Sequence, residues 1–139
     1  MHTEIGGKGN MNILVINGSP KGGKSNTYRL TTAFLEGIKQ ERQDICVKEL
    51  SVSNLNIKPC IGCFSCWNKT PGQCCIQDDM GQVIQDILWA DITVWSFPLY
   101  YYSVPGSLKN LIDRQLPMVL PFMEETEAVS YTHLRAHET

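Results

Sequence analysis

Five of the six cysteines in this 139-residue chain lie within one short stretch, KPCIGCFSCWNKTPGQCC. Cys60, Cys63 and Cys66 are spaced C-x2-C-x2-C, and Cys74 and Cys75 follow after seven further residues. A compact triplet followed by Cys74 is closer to ferredoxin-type cluster ligation than to structural zinc, which usually takes two separated pairs. Three alternatives stay open, namely a 4Fe–4S cluster held by Cys60, Cys63, Cys66 and Cys74, zinc, and thiols without a metal.

A glycine-rich stretch supplies a second candidate site. Residues 18–25, GSPKGGKS, match the pattern G-x-x-x-x-G-K-S/T between a predicted strand and a predicted helix. A loop of this composition at a helix N-terminus offers backbone N–H groups and hydroxyls to a phosphate. A P-loop nucleotide hydrolase also needs a nearby acid for magnesium, and the third predicted strand has its only acid, Asp91, at the wrong end. Nucleotide hydrolysis is therefore kept as a second alternative.

The body of the chain lacks the usual side chain for acid–base catalysis. The three histidines, His2, His133 and His137, all lie near the ends. A Ser–His or Cys–His hydrolase therefore cannot be built from residues 11–128. We assign no catalytic side chain and expect a cofactor to carry the chemistry.

Composition narrows the location and the partners. The net charge of −2 provides no basic field for nucleic acid. No apolar run approaches the roughly 20 residues of a membrane span, and no secretion signal opens the sequence. We therefore expect a cytoplasmic protein with free thiols and no nucleic-acid or membrane partner.

The elements that must position these residues alternate along the chain. NILVING, ICVKEL and DITVWSF read as strands, and the order is β-α-β-loop-α-β-loop-α. Strands that alternate with helices imply right-handed crossovers and a parallel sheet covered on both faces. The predicted fold class is thus α/β, with a parallel sheet between two layers of helices.

Helical spacing predicts which side chains face the sheet. In the first helix these are Leu30, Ala33, Phe34, Gly37 and Ile38. In the second helix, capped by Asp78 or Asp79, they are Met80, Val83, Ile84, Ile87 and Leu88. We further expect Cys46 to be a core residue of the second strand, and Asp113 and Arg114 to form a surface ion pair.

Two longer stretches resemble a known family. INGSPKGGKSNT, followed about seventy residues later by SFPLYYYSVPGSLKNLIDR, resembles the flavodoxin-like NAD(P)H-dependent flavin reductases. The cysteine stretch, with DDM after it, resembles the iron–sulfur flavoprotein branch of that superfamily. The likeness runs from Met11 to about Glu125. It implies a flavodoxin-like α/β fold, a doubly wound parallel sheet with the strand order 2-1-3, and an FMN-dependent oxidoreductase. An iron–sulfur flavoprotein that acts only as an electron carrier is the alternative.

The resemblance also implies roles for individual residues. It implies that hydroxyls, an amide and a lysine of the first loop bind the FMN phosphate, through Ser19, Lys21, Ser25, Asn26 and Thr27. It implies that the second loop lines the flavin ring and ribityl chain, through Pro98, Leu99, Tyr100 and Tyr101. NAD(P)H would supply electrons to a quinone, nitro compound, metal or protein acceptor, in a protein that is a homo-oligomer, such as a dimer, when full length.

Both ends of the chain are set apart from this domain. Residues 1–10, MHTEIGGKGN, read as a flexible extension or a misplaced start. Residues 129–139, VSYTHLRAHET, resemble a translated sequencing adapter, so we expect a non-native tail. Residues 11–128 would then be the N-terminal part of a flavodoxin-like FMN-binding domain, with strands four and five of its sheet missing, and we expect the fragment itself to be inactive.

Overall fold

The computed structural model describes residues 10–125 and 130–134. It contains strands β1 (Met11–Asn17), β2 (Ile45–Ser51) and β3 (Ile92–Ser96), and helices α1 (Asn26–Glu41), α2 (Ser65–Asn68), α3 (Met80–Trp89) and α4 (Gly106–Asp113). A two-stranded unit of β4 (Val119–Glu125) and β5 (Ser130–Leu134) follows α4. No helix within the described ranges is long and apolar enough to cross a membrane.

The predicted parallel sheet is confirmed. Its order is β2-β1-β3, and Asn17 at the end of β1 pairs with Ser51 on one side and Ser96 on the other. The carboxyl ends of the three strands therefore lie level at one edge of the sheet, and the loops that follow them open together there.

Strand β1 carries the core on both of its faces. Ile13 and Val15 pack with Leu35 of α1 on one face, whereas Leu14 and Ile16 pack against α3 and α4 on the other. All four β1 side chains are completely withdrawn from solvent. This alternation is what a strand covered on both faces requires.

The prediction for the face of α1 is wrong. Leu30 is 74% exposed and Phe34 is 53% exposed, while Ala33 and Gly37 are exposed too. The helix instead buries Thr31 and Leu35. Thr31 tolerates burial because its hydroxyl lies 2.8 Å from Ser96 Oγ and 3.2 Å from the Thr27 carbonyl oxygen. Of the predicted stripe, Ile38 packs against the core beside α1.

Cys46 is exposed, so its prediction as a core residue is also wrong. The neighbouring Ile45 and Val47 pack against the core under α1, and the period of a strand therefore turns Cys46 to the opposite face. The next residue on that face, Lys48, is exposed and donates to Asp86 of α3 at 3.1 Å. This face of the edge strand is exposed at Cys46 and Lys48, whereas Leu50 farther along it packs against the core beside α3 and α4.

The end regions are only partly described. Strands β4 and β5 pair antiparallel with each other, with Met123 opposite Thr132. Within the described ranges no fourth strand joins the parallel sheet. The extension predicted at residues 1–10 lies, apart from Asn10, outside the described residues, as do residues 129 and 135–139 of the predicted tail.

Candidate functional site

The loop between β1 and α1 is held in shape by its own polar groups. Asn17 Oδ1 accepts from the Ser19 N–H at 3.0 Å, and Ser19 Oγ accepts from the Lys21 N–H at 3.3 Å. Ser25 caps α1, because its Oγ accepts from the Tyr28 N–H at 3.1 Å. Gly22 supplies the turn with a φ of +55°, a conformation that side chains rarely adopt.

Helix α4 approaches this loop closely at Gly18. The Gly18 N–H donates to the Ser96 carbonyl oxygen at 2.8 Å, which joins the loop to the end of β3. A Cβ atom placed on Gly18 would lie 2.5 Å from Leu108 Cδ2, closer than real contacts permit. Glycine is therefore required here by packing, and the loop is fixed between β3 and α4.

A cleft of about 290 Å³ opens between this loop and the loop after β3. Most of the residues predicted to bind the cofactor line it together, namely Ser19, Lys21, Ser25, Asn26, Thr27, Pro98 and Tyr100, and Lys24 adds a second cation. Ser19 and Ser25 are buried, whereas the two lysines are exposed at the rim. The lining contains two cations, hydroxyls and the N-terminus of α1 but no carboxylate, so its chemistry fits a phosphate group.

The remaining two residues of the predicted set, Leu99 and Tyr101, lie outside this lining. Leu99 is 71% exposed and Tyr101 is 95% exposed. Tyr101 and Tyr102 are the central residues of a tight turn in which Tyr100 and Ser103 exchange backbone hydrogen bonds of 2.8 and 3.0 Å. Both central tyrosines have positive φ, 44° and 61°, where non-glycine residues are strained.

The cleft offers no magnesium-binding acid at the ends of its neighbouring strands. Strands β2 and β3 end at Ser51 and Ser96. Glu49, two residues before the end of β2, accepts from the Tyr28 hydroxyl, and this hydrogen bond raises the pKa of Tyr28. The P-loop hydrolase alternative therefore gains no support from the described residues.

The cysteine loop follows β2 at the same edge of the sheet. Gly72, at φ +83°, donates its N–H to the Cys66 carbonyl oxygen at 2.9 Å and turns the chain back. All five clustered cysteines consequently line one apolar cavity of about 20 Å³, the volume of a water molecule. Trp67, next to Cys66 in α2, donates from Nε1 to the Val119 carbonyl oxygen at 3.0 Å and so joins this loop to the start of β4.

The thiols differ in exposure and in proton affinity. Hydrogen bonds from the side chain and backbone of Ser65, together with the Cys75 thiol, lower the pKa of Cys63 to about 7. Burial raises the pKa of Cys66, and the hydrogen bond with Cys63 raises the pKa of Cys75. No three metal-binding side chains within residues 10–125 and 130–134 are arranged at ligating positions. The donor set fits an iron–sulfur cluster by its chemistry, since thiolates are the usual ligands.

Arg114 is buried beside this cavity, which corrects the prediction of a surface pair with Asp113. Asp113 is exposed and pairs with Lys109 of the same helix. The Arg114 guanidinium instead binds both carboxylate oxygens of Asp78 at 2.9 Å, and it also donates to the carbonyl oxygens of Lys58 and Ile76. The helix-forming sequence around residue 114 gave no sign of this, because its partners lie 36 to 56 residues earlier.

Hydrogen bonds and mutual attraction favour the charged forms of Asp78 and Arg114 although both side chains are buried. Burial acts against the charge of Asp78, but hydrogen bonds from Arg114 and from the backbone N–H groups of Lys58 and Met80 lower its pKa. Burial likewise opposes the charge of Arg114, while Asp78 and the Cys74 sulfur raise its pKa. Asp79 is the N-cap residue of α3, but its side chain makes no capping hydrogen bond; the Met80 N–H at the start of the helix donates instead to Asp78 Oδ1 at 3.1 Å.

A glycine-rich loop after the first strand of a 2-1-3 parallel sheet, facing a second loop across a polar cleft, places the fold in the doubly wound α/β class. A family model described as "Flavodoxin-like fold" matches residues 11–135. The chain belongs to this flavodoxin-like family, which confirms the predicted fold.

Individual relatives are similar over most of this chain. An iron-sulfur flavoprotein from Methanocaldococcus jannaschii is 33% identical over 112 residues, which cover 81% of this chain and 55% of the relative. An FMN-dependent NAD(P)H:quinone oxidoreductase from Pseudomonas aeruginosa is 26% identical over 131 residues, covering 88% of this chain and 62% of the relative. The chain spans about half the length of the first of these relatives.

A solved structure has the same fold. It is an FMN-dependent NADH-azoreductase from Bacillus anthracis in complex with FMN, with a TM-score of 0.63 and 21% sequence identity. The superposition covers 89% of this chain and 63% of the azoreductase. At this identity the comparison establishes the fold alone.

Proposed function

We propose that residues 11–128 form the N-terminal part of a flavodoxin-like domain that binds FMN in an NAD(P)H-dependent oxidoreductase. The observation that carries the proposal is the cleft between the β1–α1 and β3–α4 loops, in which hydroxyls, helix N–H groups and two lysines converge without a carboxylate. A phosphate monoester such as that of FMN suits this lining and needs no magnesium ion. The name of the quinone oxidoreductase relative supports the same cofactor.

Each part of the cleft has a separate task in this proposal. Ser19, Ser25, Asn26 and Thr27 would bind the phosphate, with Lys21 and Lys24 neutralising its charge. Pro98 and Tyr100 would lie along the ribityl chain and the ring, and Leu99 and Tyr101 would reach the ring from the exposed part of the same loop. When bound, FMN would supply hydride transfer between a nicotinamide and a quinone, nitro compound, metal or protein acceptor.

A second candidate function is an iron–sulfur flavoprotein electron carrier. It is favoured by the five thiols on one cavity and by the M. jannaschii relative. Cys60, Cys63, Cys66 and Cys74 would hold a 4Fe–4S cluster, which would accept and donate single electrons. Anaerobic iron and sulfide analysis of the four Cys→Ala variants tests this, with Cys46→Ala as the matched control. Loss of iron in the Cys46 variant, with Cys74→Ala unaffected, would contradict the ligand assignment.

The partners and the location remain part of the proposal. We propose a cytoplasmic homo-oligomer in the full-length protein, with a small-molecule or protein electron acceptor. Tyr101 and Tyr102 offer a protruding aromatic surface that suits such an interface, since they are 95% and 90% exposed. Sedimentation of the full-length protein with and without FMN would measure its oligomeric state.

The experiment that tests FMN binding compares ligands with and without a phosphate. FMN and riboflavin are titrated into the protein, and quenching of flavin fluorescence is followed. Binding at the phosphate loop predicts at least about tenfold tighter binding of FMN, because riboflavin lacks the charged group. Equal affinities, or displacement of FMN by magnesium ATP, would overturn the proposal in favour of another ligand.

A further inference from the structure

Two exposed thiols of the cysteine loop lie in direct contact. The Sγ atoms of Cys63 and Cys75 are 3.6 Å apart, although the residues are twelve positions apart in the sequence. Both side chains are exposed, whereas Cys66 is buried and Cys74 is partly buried. A reagent in solution therefore reaches this pair before it reaches the inner thiols.

Cys75 has no place in the predicted quartet of ligands. The quartet uses Cys60, Cys63, Cys66 and Cys74, so Cys75 is the one thiol of the cysteine loop that the iron–sulfur alternative leaves out. Its contact with Cys63 is brought about by the chain reversal at Gly72, whose N–H is bound to the Cys66 carbonyl oxygen. The fifth thiol is thus placed by the same turn that completes the cavity.

The backbone around both thiols allows the two sulfur atoms to approach each other. A disulfide bond is about 2.05 Å long, so the two sulfur atoms must approach by roughly 1.5 Å. Neither Cys63 nor Cys75 lies in a helix or a strand, and each is in an irregular segment. Rotation of the side chains, with a small shift of the loop, supplies this distance without breaking regular hydrogen bonding.

We propose that Cys63 and Cys75 form a reversible disulfide when the protein meets hydrogen peroxide. The Cys63 sulfur attacks one peroxide oxygen, the O–O bond breaks, and one water leaves to give a sulfenic acid. The Cys75 sulfur then attacks the Cys63 sulfur, the S–O bond breaks, and a second water leaves. Together the two thiols lose two protons and two electrons, and hydrogen peroxide is reduced to two molecules of water.

The proposal depends on thiol geometry and stands apart from the proposed FMN chemistry. It has one consequence for the quartet, since Cys63 belongs to both arrangements. A chain with the disulfide retains only three thiols of the quartet. Oxidation of the pair and occupation of all four positions by a metal are therefore mutually exclusive.

The test counts thiols in the metal-free chain. The protein is reduced, stripped with a chelator and desalted without oxygen, and one equivalent of hydrogen peroxide is added. We expect the six free thiols of the chain to fall to four, with a mass decrease of two hydrogen atoms and full recovery in dithiothreitol. Proteolysis after Lys69 separates the two cysteines, so the oxidised chain should yield a linked pair of peptides that contain Cys63 and Cys75.

Matched variants assign the reaction to this pair. The Cys46→Ser variant, changed at an exposed position of β2, should still lose two thiols at the wild-type rate. Cys63→Ser and Cys75→Ser should each lose two thiols at least tenfold more slowly, and equal thermal melts would show that both variants fold. Wild-type loss of two thiols in Cys75→Ser, or a link through Cys60, Cys66 or Cys74 in the wild type, would overturn the proposal.

Discussion

The guanidinium of Arg114 holds the carboxylate of Asp78 through two parallel hydrogen bonds of 2.9 Å, and the two side chains are 1% and 0% exposed. The same guanidinium binds the carbonyl oxygens of Lys58, before the clustered cysteines, and Ile76, after them. Both ends of the cysteine loop are thereby fixed to the end of α4. A paired, multiply hydrogen-bonded arrangement is what makes burial of two charges tolerable.

Removing one partner of this pair should destabilise the fold strongly. We expect Asp78→Asn to lower the free energy of unfolding by about 3–5 kcal/mol, because the positive charge of Arg114 remains buried without its counter-ion. The matched control is Asp113→Asn, which removes the exposed partner of Lys109 and should cost under about 1 kcal/mol. Urea unfolding of the two variants measures both changes in the free energy of unfolding. Equal changes would show that the buried pair stabilises the fold no more than the exposed pair does.

The lowered pKa of Asp78 predicts how the free energy of unfolding depends on pH. Because the pKa of Asp78 is lowered in the folded state, its contribution is complete above its unfolded pKa of about 3.9 and is lost as the pH falls through the folded value. We expect the wild type to lose stability between pH 5 and pH 2 more steeply than Asp78→Asn does. Parallel slopes of unfolding free energy against pH for the two proteins would contradict this.

The two lysines at the rim of the cleft should act on the phosphate group alone. Lys21→Ala together with Lys24→Ala should weaken FMN binding by about tenfold and leave riboflavin binding unchanged, since the lost attraction is to the phosphate charge. Lys39→Ala, in the last turn of α1, is the control and should change neither affinity. Added salt should reduce the difference between the double variant and the wild type, because ions screen exposed charges.

Two glycines provide a matched test of close packing. Gly18→Ala should destabilise the protein by about 1–3 kcal/mol, because its Cβ would lie 2.5 Å from Leu108 Cδ2. Gly37→Ala, within α1, has no atom within 4 Å of the added Cβ and should stabilise by about 0.5–1 kcal/mol. Opposite shifts in the thermal midpoint are the expected result, and a shift of the same sign in both would refute the packing argument.

The tyrosine turn should become more stable when its strain is removed. Tyr101→Asn with Tyr102→Gly puts residues that tolerate positive φ at both central positions, and we expect a gain of about 1–2 kcal/mol. If the exposed rings serve the flavin or a partner chain, the same variant should weaken FMN binding or self-association. A variant with unchanged stability would show that the tyrosines adopt this turn without strain.

The features that a regular pattern in the sequence determines were predicted correctly. The alternation of apolar strands with helices predicted the parallel sheet, and the family resemblance predicted its order 2-1-3, which the structure confirms. The glycine-rich and tyrosine-rich loops were then placed at one edge, and seven of the nine predicted cofactor-binding residues line the cleft there. Their role in binding FMN stays a prediction.

The parts that failed depend on partners that are distant in sequence. The spacing of apolar residues in α1 predicted that Leu30 and Phe34 face the sheet. Thr31 takes the buried position instead, because Ser96, 65 residues later, accepts a hydrogen bond from its hydroxyl. Arg114 looked like a surface residue because nothing near it in the sequence marks Asp78 as its partner. A polar side chain that is buried through a long-range hydrogen bond leaves no periodic signal.

Helix α4 connects the two candidate sites mechanically. It has eight residues and is therefore a stiff rod of about 12 Å. The tyrosine turn precedes the start of α4, and Leu108 of α4 packs against the β1–α1 loop at Gly18. The cysteine loop is hydrogen-bonded to the end of α4 through Arg114. A shift of the anchored ends of the cysteine loop that keeps the Arg114–Asp78 pair would therefore displace α4, and with it Leu108 at the edge of the cleft.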